Sequence, residues 1–444
     1  MKRLAQIAPT EFDVPERYYD DPRGRYISTW NALVKPRKVS ELQELLRYAN
    51  DEKLSVVPYG GGTGLVGGQC FPDARGAICL SLEHFNNIDV NADNVSVGAG
   101  VVLDQLHHVL AGTSRHFPLH LASSGSAQIG GLISTNAGGV NVIRWGNMGK
   151  LVMGLQAVLA DGRIVDGTGD LRKDNTGYQL DRMMIGAEGT LGVVTSARLQ
   201  TFARDQSRAV VMAAVETPNL ALEFLRVLQS CPAEVSAFEL ISGVGLGFRL
   251  EAGFKPSPIG VPEWSVLIDL GGTYDAIDET LSKITSSLPD AVLAQNEKQA
   301  AELWHIRETI PLANRHVGAI ASHDIALPIE RVPEFVREMD HKLTQFDVKI
   351  NAFGHLGDGN LHYNLFPQSA RNKGEYDSAV LSELVHQMVG DMGGSISAEH
   401  GIGRYKADMM TRYGLSDKLE IMRDLKRAID PNRILNPGVF FSEI

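Results

Sequence analysis

Two short segments of this 444-residue chain hold the side chains best suited to chemistry: Gly354 to Asn364, GHLGDGNLHYN, and Ser397 to Gly403, SAEHGIG. His355 and His362 stand on either side of the turn Gly357-Asp358-Gly359-Asn360, so a bend there carries both imidazoles to one point. Glu399 can complete a set of two nitrogens and one oxygen, which suits a divalent ion and leaves coordination positions open. His400, the next residue, is placed to act as a base. A single histidine is more often satisfied by backbone in a core or on a surface. Four such residues in two glycine-bounded segments read instead as a site on constrained backbone.

A second signal is glycine. Pro58 to Gly68, PYGGGTGLVGG, contains Gly62, Gly64 and Gly67 at GxGxxG spacing. A dinucleotide turn of that type needs a strand before it and a helix opening at its third glycine. Here a helix precedes the strand, and the following GQCFPDARGA carries Pro72 and Gly76, which prevent a long helix. The loop is therefore read as a nest of backbone N–H groups around a diphosphate. Ser123 to Gly139, SSGSAQIGGLISTNAGG, and Asp174 to Thr195, DNTGYQLDRMMIGAEGTLGVVT, also put Gly, Ser, Thr and Asn where packing residues would otherwise stand. Such residues let backbone approach a large polar ligand.

The elements that position these residues follow from periodicity. SELQELLRYAND, 40–51, reads as an amphipathic helix with Ser40 as N-cap, and LSVVPYG as a buried strand running into the first glycine loop. ICLSL, VSVGAGVVL, LQAVLADGRIV and GTLGVVTSARL supply β-rich runs up to about residue 200. From Arg204 the pattern changes: RAVVMAAVE, SAFELI and WSVLIDLGG read as strands, NLALEFLRVLQSC and DETLSKITSSL as helices, an α+β pattern of antiparallel character. DSAVLSELVHQMVGDMG and KLEIMRDLKRAID are further helices before PNRILNPG.

Composition bounds the partners. With 43% hydrophobic and 21% charged residues the chain is globular and long enough for two or three domains. A formal charge of -11, with no basic run, gives no support to a nucleic-acid partner. Cys70, Cys79 and Cys231 lack CxxC spacing, which argues against thiolate zinc and fits a reducing compartment. No apolar stretch suggests a signal peptide or membrane span, so the cytoplasm is the expected location.

At the glycine loops and histidine segments the sequence resembles FAD domains of the vanillyl-alcohol oxidase type. Within them it resembles the D-lactate, glycolate and D-2-hydroxyglutarate dehydrogenase branch, and the likeness covers nearly the whole chain. The resemblance implies an α+β fold: a FAD-binding domain of two subdomains over 1–203, a substrate and metal-binding domain with an antiparallel sheet over 204–415, and a segment, 416–444, that returns to the FAD domain. It implies that Pro58, Gly60, Gly61, Gly62, Thr63, Gly64 and Gly67 surround the pyrophosphate, and that Ser126, Gly130, Gly131, Asn136 and Gly138 line the flavin. Glu188, Gly189 and Val193 would lie near the adenosine side, and Asn436 where the chain comes back to the flavin. Relatives with covalent flavin often attach it through a histidine in the first loop, which has none here, so noncovalent FAD is expected, with Cys70 the sole exception considered. His355, His362 and Glu399 match the family's ligands for one divalent metal (zinc, manganese or iron), His400 its proton acceptor, Asn364 a substrate contact and Arg307 its carboxylate-binding arginine.

The reaction so implied is oxidation of a D-2-hydroxy acid to the 2-oxo acid. Metal coordination lowers the pKa of the 2-hydroxyl, His400 takes its proton, and the α-hydrogen leaves as hydride to flavin N5. An electron-transfer flavoprotein, a quinone or a similar acceptor would reoxidise the flavin, and a homodimer is the candidate assembly. Alternatives are a lactone or alditol-type FAD oxidase, which needs no histidine pair, and a non-catalytic flavoprotein subunit of a glycolate oxidase-like complex. A zinc and NAD-dependent alcohol dehydrogenase is a third, against which the loop context argues. In the D-2-hydroxyglutarate branch a lysine binds the distal carboxylate; here that position is Ser322, and a family threonine is Pro311. A smaller or less anionic substrate is expected, unless Arg315, His316 or His323 restores the charge.

Overall fold

A computed structural model describes residues 2–169, 171, 173–369 and 372–442. By its internal contacts the chain divides into two units: Met1–Gly139, Gly146–Arg204 and Glu399–Ile444 form the first, Val140–Trp145 and Asp205–Ala398 the second. The sequence reading put the return to the first unit at residue 416; the contacts place it at Glu399. The short segment Val140–Trp145 is tied to the second unit by Arg144, which pairs with Asp205 at 2.7 Å and donates to the Ser236 hydroxyl at 3.0 Å.

In the first unit, the helix Val39–Asp51 buries Leu42, Leu45, Leu46 and Ala49, one stripe at helical spacing. A four-stranded sheet runs in the order Thr10–Glu11, Trp30–Val34, Ala77–Ser81, Val56–Tyr59, with its last three strands parallel. Ile434 and Asn436 hydrogen-bond Val56, so the C-terminal segment pairs with the strand that leads into the first glycine loop. A second, antiparallel sheet is ordered Ile88–Val90, Asn94–Gly98, Val193–Gln200, Val152–Val158, Ile164–Asp166.

The second unit is built on seven antiparallel strands in the order Val292–Leu293, Ser207–Val215, Trp264–Gly272, Glu234–Ser242, Val348–His355, Asn360–Pro367, Ala321–Ala326. Because successive side chains in a strand point to opposite faces, register decides what each face carries. Leu240, Ile325, Ala352, Leu361, Tyr363 and Leu365 lie on one face, packed in a common core with Leu225, Phe335 and Val385 of the helices Pro218–Gln229, Val332–Leu343 and Ser378–Asp391. The intervening residues Glu239, Phe353, His355, His362, Asn364 and Asp324 share the other face. Part of that face is apolar, where Ile241 and Phe353 pack against Leu303, Trp304 and Ile306 of the helix Glu297–Glu308. Antiparallel α+β character is as the sequence implies. The helix Glu297–Glu308 and its successor Ile310–Val317, which starts at Pro311, escaped the sequence reading.

Candidate active site

The strands Val348–His355 and Asn360–Pro367 are joined by one tight turn in which Gly359 takes φ +83°. A Cβ on Gly359 would also strike the Leu327 carbonyl, so this turn needs glycine on both counts. The hairpin sets the His355 and His362 rings 5.7 Å apart, nearly perpendicular. Ala398 donates its N–H to the Asp324 carbonyl, and Asp324 lies directly across from His362 in the sheet. Glu399, one peptide further on, is thereby delivered to the same place. A ligand atom from each of His355, His362 and Glu399 lies within 4.8 Å of the others. Two imidazole nitrogens and a carboxylate oxygen at that spacing fit a divalent transition metal, with positions to spare for substrate oxygens.

Behind His355 stands a group that sequence reasoning missed. Glu239 is fully buried; its Oε1 lies 2.5 Å from His355 Nδ1, and its Oε2 accepts from Arg307 Nε at 2.7 Å. Burial alone would raise its pKa, but the charges of His355 and Arg307 prevail and bring it down to about 2. Arg307, itself buried, also lies over the Phe353 ring at 4.6 Å. Among the described residues no oxygen takes its Nη hydrogens. Asp324 faces His362 Nδ1 at 3.9 Å and is held by the Asn360 amide at 3.0 Å. Asn364 is buried two residues along the same strand face as His362, its amide donating to the His362 carbonyl at 3.1 Å. His400 is half-buried beside Glu399.

The glycine loops lie in the first unit. Among the described residues nothing accepts the amide N–H of Gly61, Gly62, Thr63 or Gly64, which follow the strand Val56–Tyr59. Consecutive uncommitted amides are what an anion nest requires. A Cβ on Gly61 would run into the Ser126 carbonyl, so the first and second loops touch backbone to backbone. Ser126 and Gly131 are exposed, while Gly130 is pressed against Ala99. Asn136, Glu188 and Asn436 all hold φ between 43° and 50°, a conformation uncommon outside glycine and concentrated at functional sites. Asn136 caps the Gly149 N–H at 2.8 Å. Asn436 donates to the carbonyls of Gly68 and Glu188 at 2.9 and 2.8 Å, tying the C-terminal turn to two of the loops.

The Glu188 carboxylate accepts from the backbone N–H groups of Ile402 and Gly403 at 2.7 and 2.8 Å. Burial pushes its pKa up to about 7, against the pull of those amides and of Lys406. The side chain that the resemblance gave to the adenosine end is thus committed to the segment just after His400. Val193 lies in the core of the five-stranded sheet opposite Val158, and Gly138 is buried. Cys70 is buried with its thiol pushed up to about 11, which makes it a poor nucleophile for a covalent link.

One expectation is corrected by register. His323 points to the core face, where Nδ1 meets the Tyr363 carbonyl at 2.8 Å and Nε2 the Ser382 hydroxyl at 3.1 Å. It cannot replace a lysine at Ser322, which is exposed on the opposite face across from Asn364.

Two domains, one with glycine-loop nests and one with a histidine-bearing antiparallel sheet, define a flavoprotein oxidoreductase. The chain belongs to the FAD-linked oxidases: residues 204–440 match the family described as "FAD linked oxidases, C-terminal domain", and residues 30–168 match "FAD binding domain". It is 36% identical over 432 residues to a "Probable D-2-hydroxyglutarate dehydrogenase, mitochondrial" of Oryza sativa subsp. indica, covering 94% of this chain and 76% of the relative. It is 32% identical over 447 residues to a "D-2-hydroxyglutarate dehydrogenase" of Stutzerimonas stutzeri, covering 98% and 96%. Among solved structures, p-cresol methylhydroxylase aligns with TM-score 0.70 at 15% identity over 98% of this chain and 92% of that one. The 4-ethylphenol oxidase of Gulosibacter chungangensis aligns with TM-score 0.69 at 15% identity, over 99% and 93%; both likenesses concern the fold. Among the described residues no helix is long and apolar enough to cross a membrane.

Proposed function

We propose that this chain is a dehydrogenase that oxidises a D-2-hydroxy acid to the 2-oxo acid with FAD and one divalent metal ion. The observation that carries the reading is the convergence of His355, His362 and Glu399, within 4.8 Å, in a chain with the FAD-linked oxidase domains. Gly61 to Gly64 would hold the FAD diphosphate, and the His-His-Glu set the metal. When bound, FAD supplies the hydride acceptor and the metal supplies positive charge that acidifies a hydroxyl. Arg307 orients the substrate carboxylate through its Nη edge, Asn364 lines the same sheet face, and His400 accepts the proton of the 2-hydroxyl. The test is dye reduction by the isolated chain with both enantiomers of several 2-hydroxy acids, before and after chelation. Turnover of the D enantiomers that disappears on chelation supports the reading; turnover insensitive to chelation refutes the metal's role, and absence of turnover refutes the activity.

For the side chain of the acid, the relatives' names point to D-2-hydroxyglutarate, whereas the neutral, exposed Ser322 on the site face points to a shorter or less anionic acid. The second reading is the one we adopt, because His323 lies on the wrong face to supply a charge. Comparing kcat/KM for D-lactate, D-2-hydroxybutyrate, D-malate and D-2-hydroxyglutarate decides between them; a preference for the last sinks it.

A further inference from the structure

Glu239 does two tasks with one carboxylate. It sits directly opposite His355 in the sheet, fully buried, and each oxygen has its own charged partner: Oε1 with His355 Nδ1 and Oε2 with Arg307 Nε. An acceptor on Nδ1 places the ring proton there and makes Nε2 the lone-pair nitrogen, the tautomer a metal ligand needs. On its other side the carboxylate uses the Nε–H of Arg307, and Phe353, two residues before His355, lies against the guanidinium. That fixes the plane of the guanidinium and leaves the Nη edge as the fork for a second carboxylate.

We propose that Glu239 is a shared positioning residue that sets both the tautomer of His355 and the aim of Arg307, so that the metal site and the substrate-carboxylate site are held by one group. The inference rests on the metal and hydroxy-acid reading above. Chemistry makes Glu239→Gln a sharp probe, because an amide accepts on one side and donates on the other. With its NH₂ toward His355, the proton must sit on Nε2 and the ligand is lost. With its NH₂ toward Arg307, two donors collide.

Chelator-stripped Glu239→Gln is titrated with Zn²⁺, and kinetics with the preferred D-2-hydroxy acid are run at saturating metal. Zinc affinity is expected to fall about 10- to 100-fold, the usual effect of losing an outer-shell partner, and KM to rise even when the metal site is filled. If zinc affinity and KM both stay within twofold of wild type, whether or not the melting temperature drops, Glu239 is only structural and the proposal is overturned. Should Glu239→Gln fail to fold, Glu239→Asp is measured the same way; it keeps the charge but is one methylene too short to reach both partners. His362→Ala separates the two levels. If it binds zinc as wild type does, the metal-site reading itself has failed. If it loses zinc while the Glu239 variants match wild type, only the positioning role has failed.

Discussion

The loops of the first unit and the sheet of the second prepare for ligands with different materials. The loops offer backbone: consecutive amides at Gly61 to Gly64, a carbonyl-to-glycine contact at Ser126, and left-handed residues at Asn136, Glu188 and Asn436. The sheet offers side chains whose positions come from strand register, each histidine backed by a carboxylate on its neighbouring strand. A backbone site fails when a Cβ is added. A side-chain site fails when a functional group is removed, even with every Cβ in place.

The deepest break is expected in the sheet. His362→Ala should cut turnover by more than the roughly 100-fold upper figure for an outer-shell loss, while the visible flavin spectrum stays that of wild type; near-normal turnover after chelation would mean that the cluster is not a working metal site. On the same face, Ser322→Lys should raise kcat/KM for D-2-hydroxyglutarate relative to D-lactate by about 10- to 150-fold, the worth of one charge-assisted hydrogen bond of roughly 1.5 to 3 kcal/mol. No change in that ratio would show that residue 322 does not face the distal end of the substrate.

In the loops, Gly61→Ala should weaken FAD binding by about 5- to 150-fold, corresponding to roughly 1 to 3 kcal/mol of overpacking against the Ser126 carbonyl. Ser126→Ala, which removes a hydroxyl but leaves that carbonyl, should change it little; the reverse order would contradict the backbone character of the site. Acid precipitation of wild type should release the yellow colour into the supernatant, and colour left in the pellet would reveal a covalent flavin.

The smallest effect is one of pH. Glu188 has a pKa raised by burial from 4.5 to about 7, so the folded protein holds its proton more tightly than the unfolded chain does. Its contribution to stability is fully present below about 4.5 and is lost as pH rises through 7. Melting temperatures of wild type and Glu188→Gln, compared from pH 5 to pH 8, should therefore move in the variant's favour with rising pH. A constant difference would show that Glu188 does not titrate there.

What could be read from the sequence divides along similar lines. His355, His362, Glu399 and the three glycine loops were legible because their partners are close in sequence or their composition is unusual. Nearly all the strands and amphipathic helices named there occur, since one-sided burial leaves a period. Glu239 was not legible: its partners lie 68 and 116 residues away, and only strand register and a helix end bring them to it. A signal existed, an acidic residue in the apolar run SAFELIS. The same holds for His323, whose neighbour Ser322 pointed to a shared role until alternation put the two on opposite faces. The crossing of Val140–Trp145 into the second unit depends on Arg144 finding Asp205, a contact no local pattern encodes.

The pairing of the C-terminal turn with Val56 also sets a timetable. Leu435 bridges a strand made 379 residues earlier, and Asn436 closes two loops that have long since left the ribosome. At synthesis rates of about 5 to 20 residues per second, roughly 20 to 75 seconds separate the two halves of that contact. The second unit, continuous from Asp205 to Ala398, has most of its chain in hand well before then. Nascent chains arrested before Leu435 should thus carry a protease-resistant second unit while Val56 still lacks its last partner, so the unit begun first is the one finished last.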